Sequence, residues 1–278
     1  MSYPRIDLDG ALVAITGAAR GIGLATAAAF AAKGAYVALG DLDETLAVQA
    51  ADGLGDRAMG HVLDVTDKGS YAAFLAAAET WRGAPLDVLV NNAGVMPNGA
   101  FLEQADRIDQ LTMDVNVYGV IHGMRLALPG MVERGYGHVV NVASLAGKFP
   151  IKGLAVYNAS KFAVVGLTAA TRLEMDATGV SVSAVLPSAV RTELSSGIDY
   201  GILPAVDPED IAAAVVRSVK SRAAEIAVPS YVGLMADAAG LVPEPVMRVF
   251  RKAAHDDAAI TRVDDTVRRA YLDRIEKQ

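Results

Sequence analysis

The sequence alternates short apolar runs rich in β-branched residues with longer, alanine-rich stretches, and this alternation limits the fold more than any other feature. The short runs predict strands at about residues 12–16, 36–39, 61–63, 88–90, 138–142, 182–186 and 225–228. The longer stretches predict helices at about residues 22–33, 43–51, 68–81, 105–132 and 154–178. Strands that alternate with helices form right-handed βαβ units. We therefore expect an α/β fold with a doubly wound, mostly parallel seven-stranded sheet and helices on both faces.

No linker, repeat or low-complexity segment interrupts this pattern, so residues 1–278 are predicted to form a single domain. Its α/β core covers about residues 8–230, and a helical C-terminal extension covers about residues 231–278. Residues 193–207 lie beyond the sixth predicted strand and mix glycine, proline and serine with other residues. This composition predicts a mobile loop that can close over a ligand.

The C-terminal extension carries two amphipathic patterns. One apolar face comprises Val246, Val249, Phe250 and Ala253, with Arg248, Arg251 and Lys252 opposite, and a second apolar stripe comprises Val263, Val267, Tyr271 and Ile275. Packing on the body of the protein or on a partner subunit is one interpretation. A basic helix lying on a membrane surface is the other.

The composition excludes several classes of function. Lys and Arg number 25 against 32 Asp and Glu, giving a net charge of −7, which argues against binding to nucleic-acid phosphates. The chain has no cysteine, so disulfides, a thiol nucleophile and Cys-ligated metals are excluded. The four histidines are not spaced as helical ligand pairs, and no metal site is predicted. A charged N-terminus and the lack of a long uncharged apolar run predict no integral membrane segment and a cytoplasmic location.

A glycine-rich loop lies between the first predicted strand and the first predicted helix, where residues 16–23 read Thr-Gly-Ala-Ala-Arg-Gly-Ile-Gly. Glycines let the main chain approach a ligand, and the N-terminus of the next helix offers unpaired N–H groups to a pyrophosphate. No Lys-Ser/Thr pair follows, which excludes a P-loop. A purely structural glycine-rich turn is the alternative. The loop predicts dinucleotide binding through Gly17, Arg20, Gly21, Ile22 and Gly23.

Acidic and amide residues follow the next three predicted strands. Asp41 lies 18 residues beyond Gly23, where a carboxylate accepts hydrogen bonds from the adenosine ribose and repels a 2′-phosphate, so NAD is favoured. Arg20 could instead pair with the 2′-phosphate of NADP, pair with Asp41, or lie on the adenine. The alternative role for Asp41 is to cap the next helix. Asp64, after the third predicted strand, could accept a hydrogen bond from the adenine amine, and for it too helix capping is the alternative. The further predicted cofactor-binding residues are Val65, Asn92, Ala93 and Gly94.

Three polar residues combine near the fifth predicted strand. Ser144 follows this strand, and Tyr157 and Lys161 lie one helical turn apart on the next helix. A free tyrosine has a pKa of about 10, but a lysine ammonium and an oxidised nicotinamide both favour the phenolate. Lowering the pKa of Tyr157 by about two to three units would take roughly 3–4 kcal/mol. Tyr157 is therefore a candidate general acid/base, with Ser144 holding the substrate oxygen.

These motifs together resemble the short-chain dehydrogenase/reductase family, in its short single-domain form. The resemblance rests on residues 16–23, Asn91-Asn-Ala-Gly94, Asn116, Ser144, Tyr157-Asn-Ala-Ser-Lys161 and Pro187-Ser-Ala-Val-Arg-Thr192, and it covers about residues 8–230. It implies a Rossmann-like sheet and a homotetramer in which the helices before and after the fifth strand pack between subunits. It further implies that Asn116 holds a water in a proton relay and that Lys161 binds the nicotinamide ribose. Val190 and Thr192 would contact the carboxamide, and Pro187 joins the predicted cofactor-binding residues.

One position departs from the family pattern, since Ser188 stands where a glycine usually follows Pro187. This substitution is expected to tighten the main chain near the nicotinamide. The Tyr157–Lys161 spacing also differs from the wider spacing of the enoyl-reductase branch, which is therefore not indicated.

The candidate substrate pocket is mostly apolar. Its predicted residues are Met96, Leu145, Ala146, Phe149, Ile151 and the loop 194–203, each of which could also be core. The sequence thus predicts an oxidoreductase that transfers a hydride between NAD(H) and an apolar secondary alcohol or ketone. The alternatives are an NADP-dependent carbonyl reductase, a lyase or epimerase with bound cofactor, and a non-catalytic dinucleotide sensor.

Overall fold

A computed structural model describes residues 3–198, 204–239, 242–243, 245–248 and 262–275. Its central sheet contains seven parallel strands in the order β3-β2-β1-β4-β5-β6-β9, which confirms the predicted doubly wound α/β fold. The strands of this sheet are β1 (Leu12–Thr16), β2 (Tyr36–Asp41), β3 (Ala58–Val62), β4 (Val88–Asn91), β5 (Gly137–Val142), β6 (Val180–Pro187) and β9 (Glu225–Val228). A separate pair joins β7 (Ala189–Val190) to β8 (Ala205–Val206).

Helices cover both faces of the sheet because successive strand residues point to opposite sides. The helices are α1 (Gly21–Ala31), α2 (Glu44–Asp52), α3 (Lys68–Arg82), α4 (Asp106–Met113), α5 (Gly119–Arg134), α6 (Ala155–Glu174), α7 (Pro208–Ser221), α8 (Ser230–Ala239) and α9 (Asp265–Ile275). Leu12 and Ala14 pack with α3, α5 and α6, while Val13 and Ile15 pack with α1, α2 and α7. Among the described residues, no helix is both long and apolar enough to cross a membrane.

The chain winds outward from the centre of the sheet in two directions. Strands β1, β2 and β3 proceed to one edge, and the chain then returns to place β4 on the other side of β1. The strand order therefore reverses between β1 and β4. In open α/β sheets a ligand crevice forms at the carboxyl ends of the strands on either side of such a reversal.

Two predicted elements differ in detail from the structure. Strand β3 lies at Ala58–Val62 rather than 61–63, and Gly60 in it leaves room for the main chain of α2, against which a Cβ would collide. The helix predicted over 105–132 is divided into α4 and α5 by a π-helical turn at Asp114–Tyr118. The π turn widens the helix at a position that includes Asn116.

Candidate active site

The glycine loop turns sharply into α1 and keeps its main chain open to a ligand. Gly17 and Gly21 have φ values of 61° and 54°, in the left-handed region that favours glycine. A Cβ on Gly17 would also lie 2.9 Å from Cα of Ala93. Helix α1 begins without a capping side chain and without an acidic residue in its first turn, so its N-terminal N–H groups suit an anion.

Polar contacts fix the loop against β4. The Asn92 amide donates to the carbonyl oxygens of Thr16 and Gly17 at 2.9 and 3.0 Å, and the Thr16 hydroxyl accepts from the N–H of Ala93 at 2.9 Å. The side chain of Asn92 is thus used to hold the loop, although the residue lines the cavity described below. Gly23 does not line that cavity, because it lies against the Gly17 carbonyl, where a Cβ would collide.

Asp41 is held at the end of β2 by the main chain. Its Oδ2 accepts from the N–H of Ala19 at 3.0 Å, and its Oδ1 accepts from the N–H of Asp43 at 3.2 Å. The cap of α2 is Asp43, whose carboxylate accepts from the N–H of Leu46 at 3.1 Å, so the alternative capping role does not fall to Asp41. The carboxylate of Asp41 is therefore placed beside the glycine loop.

Asp64 likewise does not cap a helix, since the cap of α3 is Asp67. The Asp64 carboxylate accepts from both the N–H and the hydroxyl of Thr66, at 2.9 and 2.7 Å. Val65 next to it is buried, and both residues line the cavity.

Arg20 pairs with a residue that the sequence did not suggest. Its Nη1 lies 3.0 Å from Oε2 of Glu193, rather than beside Asp41. The other oxygen of Glu193 pairs with Arg274 of α9. The two guanidinium groups lower the pKa of Glu193 against the opposing effect of burial, so this carboxylate bridges the glycine loop and the C-terminal helix.

Ser144, Tyr157 and Lys161 converge at the carboxyl end of β5. The Ser144 hydroxyl lies close enough to the Tyr157 phenol to favour its ionised form, and it accepts from the N–H of Ala146 at 3.1 Å and donates to the Pro187 carbonyl at 3.5 Å. Nζ of Lys161 lies 5.6 Å from the centre of the Tyr157 ring and donates to the carbonyl oxygen of Val142 at 3.1 Å. Gly94 lies beside this group, since a Cβ there would be in contact with Nζ at 3.6 Å and closer, at 3.2 Å, to Oδ1 of Asn116.

Burial governs the acid–base properties of this group. It raises the pKa of Tyr157 to about 12, against the hydrogen bond from Ser144, and it lowers the pKa of Lys161 to about 8. Placement of Lys161 near the phenol is therefore not sufficient by itself to bring the pKa of Tyr157 below 10. A further positive charge in the site is needed to favour the phenolate.

Asn116 lies in the π turn and supports the site from behind. Its Oδ1 accepts from the N–H of Val95 at 2.8 Å, while its Nδ2 donates to the Val95 carbonyl at 2.9 Å and to the Ser160 hydroxyl at 3.0 Å. Both Nδ2 hydrogens are thus used within the protein. Asn116 is buried and does not line the cavity. Its side chain ties the strand end of β4 to α6.

The segment after β6 forms the far wall of the crevice. Pro187, Val190 and Thr192 all line the cavity, and the pairing of β7 with β8 holds Val190 in place. Ser188, at the position of departure from the family, donates its hydroxyl to the Pro204 carbonyl at 2.7 Å. This bond ties the main chain after β6 to the segment before β8, and the tightening near the nicotinamide stays a prediction.

A single cavity of about 870 Å³ joins these groups. The predicted cofactor-binding residues that line it are Gly17, Arg20, Gly21, Ile22, Asp41, Asp64, Val65, Asn92, Ala93, Gly94, Tyr157, Lys161, Pro187, Val190 and Thr192. Ser144 and the predicted pocket residues Met96, Leu145, Ala146, Phe149, Ile151 and Leu194 line it as well. Residues 199–203 of the predicted loop lie outside the described residues.

Helix α9 closes the substrate end of this cavity. Its Tyr271, Arg274 and Ile275 line the cavity, and the Tyr271 hydroxyl accepts from the N–H of Met96 at 2.7 Å. Arg268 is 1% exposed and donates to Asn98 Oδ1 at 2.6 Å and to the Leu194 carbonyl at 2.7 Å. Sequence reasoning found the apolar stripe that contains Tyr271 and Ile275 but did not place it here.

The described part of the C-terminal extension packs on the body of the protein through Tyr271 and Ile275, which are buried, whereas Val267 is exposed. Val249, Phe250, Arg251, Lys252 and Ala253 of the other predicted amphipathic face lie outside the described residues. Helix α8 adds Val232, Met235 and Ala236 to the cavity wall, and the sequence did not single out these residues.

Comparison with known proteins identifies the family. The short chain dehydrogenase family model matches residues 11–201, and the chain belongs to this family. Ketoacyl reductase HetN of Nostoc sp. is 32% identical over 281 residues, covering 95% of this chain and 96% of HetN. The probable oxidoreductase EphD of Mycobacterium tuberculosis is 37% identical over 213 residues, and this chain spans only 36% of EphD.

Solved structures give the same result. A short-chain dehydrogenase/reductase from Burkholderia phymatum in complex with NAD has a TM-score of 0.77 at 27% identity, over 84% of this chain and 93% of its own. The 3-ketoacyl-(acyl-carrier-protein) reductase of Brucella melitensis, complexed with NADH, has a TM-score of 0.73 at 30% identity, over 80% of this chain and 97% of its own. The solved structures thus agree with the family model in placing the chain in the short-chain dehydrogenase family.

Proposed function

We propose that this protein is an NAD-dependent dehydrogenase/reductase that interconverts an apolar secondary alcohol and its ketone. The convergence of Ser144, Tyr157 and Lys161 in one cavity with the glycine loop carries the proposal. A dinucleotide sensor would need the loop but not a buried phenol with a lysine beside it. A hydride donor or acceptor bound along the loop would meet the substrate at these residues.

The residues present fit a dinucleotide. The uncapped start of α1 and the open glycines suit a pyrophosphate, and the carboxylate of Asp41 lies where it can accept from ribose hydroxyls. Lys161 would bind the second ribose, and Val190 and Thr192 would contact the carboxamide. When bound, NAD⁺ supplies the hydride acceptor and a positive charge near Tyr157.

The chain's own residues then move the proton. The Tyr157 phenolate accepts the proton of the alcohol, and in ketone reduction the Tyr157 hydroxyl returns it to the carbonyl oxygen. The Ser144 hydroxyl hydrogen-bonds to the same substrate oxygen and holds it against the phenol. Because the Asn116 amide is used within the protein, its proposed relay water would be held by the main chain of the π turn rather than by the side chain.

Preference for NAD over NADP follows from two charges. The Asp41 carboxylate would repel a 2′-phosphate, and Arg20, the cation that could attract one, is already paired with Glu193. The pair is partly exposed, so it reduces the availability of Arg20 rather than removing it.

The expected substrate is apolar because the walls around Tyr157 are apolar. Met96, Ala146 and Leu154 pack with Tyr157, and Leu145, Phe149, Val232 and Ile275 line the same cavity. Such a wall stabilises a hydrocarbon-bearing alcohol by burying its apolar surface.

We extend the proposal to a homotetramer. Tyr118 before α5, Val132 on α5, and Phe162 and Leu173 on α6 are exposed, and these helices lie before and after β5. Contact between subunits would bury these side chains. The cytoplasmic location stays a prediction.

The test is absorbance at 340 nm with NAD⁺ and NADP⁺ in parallel over a panel of apolar secondary alcohols. We expect reduction of NAD⁺ by the wild type and a loss of at least about 1000-fold in kcat for Tyr157→Phe, since the proton acceptor is gone. NAD⁺ affinity, measured by calorimetry, should change less than about threefold. Activity of Tyr157→Phe close to that of the wild type would disprove this mechanism. Cofactor retained through purification with no net change at 340 nm would favour a lyase or epimerase.

A further inference from the structure

The C-terminal helix brings a second phenol into the cavity that contains Tyr157. Tyr271 is 2% exposed and lines the same cavity. Its hydroxyl is bonded to the N–H of Met96, whose side chain packs in the same apolar cluster as Tyr157. The family model ends at residue 201, so Tyr271 lies in a part of the chain that the family motifs do not describe.

Two arginines fix the position of the Tyr271 ring. The guanidinium of Arg268 lies 4.4 Å from the ring centre and that of Arg274 lies 5.5 Å from it. Arg268 is hydrogen-bonded to Asn98 and Leu194, and Arg274 is paired with Glu193. Both guanidinium groups that contact the ring are fixed by their own hydrogen bonds or ion pair. The orientation of the Tyr271 ring is therefore set before a ligand binds, as a binding residue requires.

The hydrogen bonds of the Tyr271 hydroxyl leave its proton available. Within the described part of the chain, the hydroxyl has one hydrogen bond, which it accepts from the N–H of Met96 at 2.7 Å. A phenolic hydroxyl can also donate one hydrogen bond. Because the group is buried and faces the cavity, leaving that donor unused costs free energy, and a ligand atom that accepts from it would recover the cost.

We propose that Tyr271 is a substrate-binding residue that donates a hydrogen bond to a second oxygen of the substrate. The inference rests on the proposed function, in which Ser144 and Tyr157 bind the reacting oxygen. The substrate class is then an apolar ketone or alcohol that carries a further carbonyl or hydroxyl oxygen near the reacting carbon. Leu154, Ile275 and Met96 around the phenol bind the hydrocarbon part.

The test compares ketones of similar length that carry or lack further oxygen near the reacting carbonyl. The probes are 4-nonanone, ethyl 3-oxohexanoate, which has the same chain length, and α-hydroxyketones of similar size. Both kcat/KM with NADH and the affinity for the protein with NADH, measured by calorimetry, are obtained for wild type and Tyr271→Phe. We expect the wild type to prefer at least one oxygen-bearing ketone, and Tyr271→Phe to lower that preference by about 10-fold while 4-nonanone changes less than about threefold.

A matched control is Tyr136→Phe, which removes a hydroxyl at the opposite edge of the sheet, just before β5, and should leave the preference unchanged. Hydrogen exchange over residues 265–275 reports whether Tyr271→Phe still docks α9. An equal fall in kcat/KM for every ketone in Tyr271→Phe would show a structural role only and would overturn the inference. An unchanged preference for the oxygen-bearing ketones in this variant would overturn it too. Absence of turnover with retained, oxygen-dependent binding would disprove the proposed function and leave this inference standing.

Discussion

The two ends of the cavity are built in different ways. At the cofactor end, the glycine loop, Asp41 and Asn92 are held by main-chain contacts among β1, β2 and β4, which form the centre of the sheet. At the substrate end, residues 193–195 and α9 complete the wall, and these two segments are distant in the chain and meet by tertiary packing. The difference implies that cofactor binding depends on the central sheet, whereas the choice of substrate depends on how α9 docks on the body of the protein.

The predicted mobile loop shows this dependence directly. The carbonyl of Gly197 accepts from the N–H of Asp264 at 2.8 Å, and Ile198 forms an antiparallel bridge with Val263. Gly197 has a φ of 74°, and a Cβ there would lie 2.8 Å from the Asp264 carbonyl oxygen. Residues 193–198 are thus held against the segment that leads into α9, so the two are expected to open or close together.

The largest effect is expected for Arg268→Met, which breaks the substrate end alone. Loss of the guanidinium removes the donor to the buried carbonyl of Met96 and to the half-buried acceptors on Asn98 and Leu194. We expect the docking of α9 to weaken by up to about 3 kcal/mol. Because the substrate end forms only when α9 is docked, kcat/KM for the substrate should fall by up to roughly 100-fold. Affinity for NAD⁺, by calorimetry, should change less than about twofold, and hydrogen exchange over 193–198 and 265–275 should rise together.

The control for this variant is Arg269→Met, at the next position of the same helix, where the side chain is exposed. Arg269→Met should leave both kcat/KM for the substrate and the affinity for NAD⁺ unchanged. An equal loss of NAD⁺ affinity in Arg268→Met would contradict the separation between the two ends of the cavity.

A smaller effect is expected for Asp41→Ala, which alters the cofactor end alone. Removing the carboxylate removes the repulsion of a 2′-phosphate and the acceptor for ribose hydroxyls. The ratio of kcat/KM with NAD⁺ to that with NADP⁺ should fall about 10-fold, or about 1.4 kcal/mol, with the substrate preference unchanged. Asp67→Ala serves as the matched control, because it removes a helix cap outside the cavity and should cost only stability. If the cofactor ratio is the same in Asp41→Ala and the wild type, Asp41 does not discriminate.

The same contrast explains what could be predicted from the sequence. The sheet, the glycine loop and the Ser144–Tyr157–Lys161 group follow from local spacing, because strand and helix periods place these residues at strand ends and on one helix face. The partner of Arg20 could not be predicted, since Glu193 lies 173 positions away in the chain. The π turn at Asn116 could not be predicted either, because residues 105–132 carry one uninterrupted helical pattern. For Tyr271, the helical spacing of the apolar residues predicted that this face of the helix is buried, but not which surface of the protein it packs against.

The smallest effect concerns pH and tests whether the site is formed before any ligand binds. Burial lowers the pKa of Lys161 to about 8, whereas a lysine in the unfolded chain has a pKa of about 10.4. Between these values the unfolded state holds a proton that the folded state has released, so the free energy of unfolding rises with pH. Tyr157 acts in the opposite sense only above about pH 10, where its unfolded form ionises and its buried form does not.

From pH 7 to pH 9 the wild type should therefore gain about 1 kcal/mol of stability relative to Lys161→Met, measured by denaturant titration without cofactor. Taking the difference between the two proteins cancels groups that titrate alike in both. Equal pH slopes would show that Lys161 is not buried in the free protein.

Repeating the pair of measurements in an Arg268→Met background tests whether the two ends of the cavity are independent. A gain that persists there assigns the burial of Lys161 to the sheet and α6, since the contacts of Lys161 to Val142 and near Gly94 do not involve α9. A gain that disappears would mean that the C-terminal helix also shapes the catalytic group, and the two ends of the cavity would then be one unit.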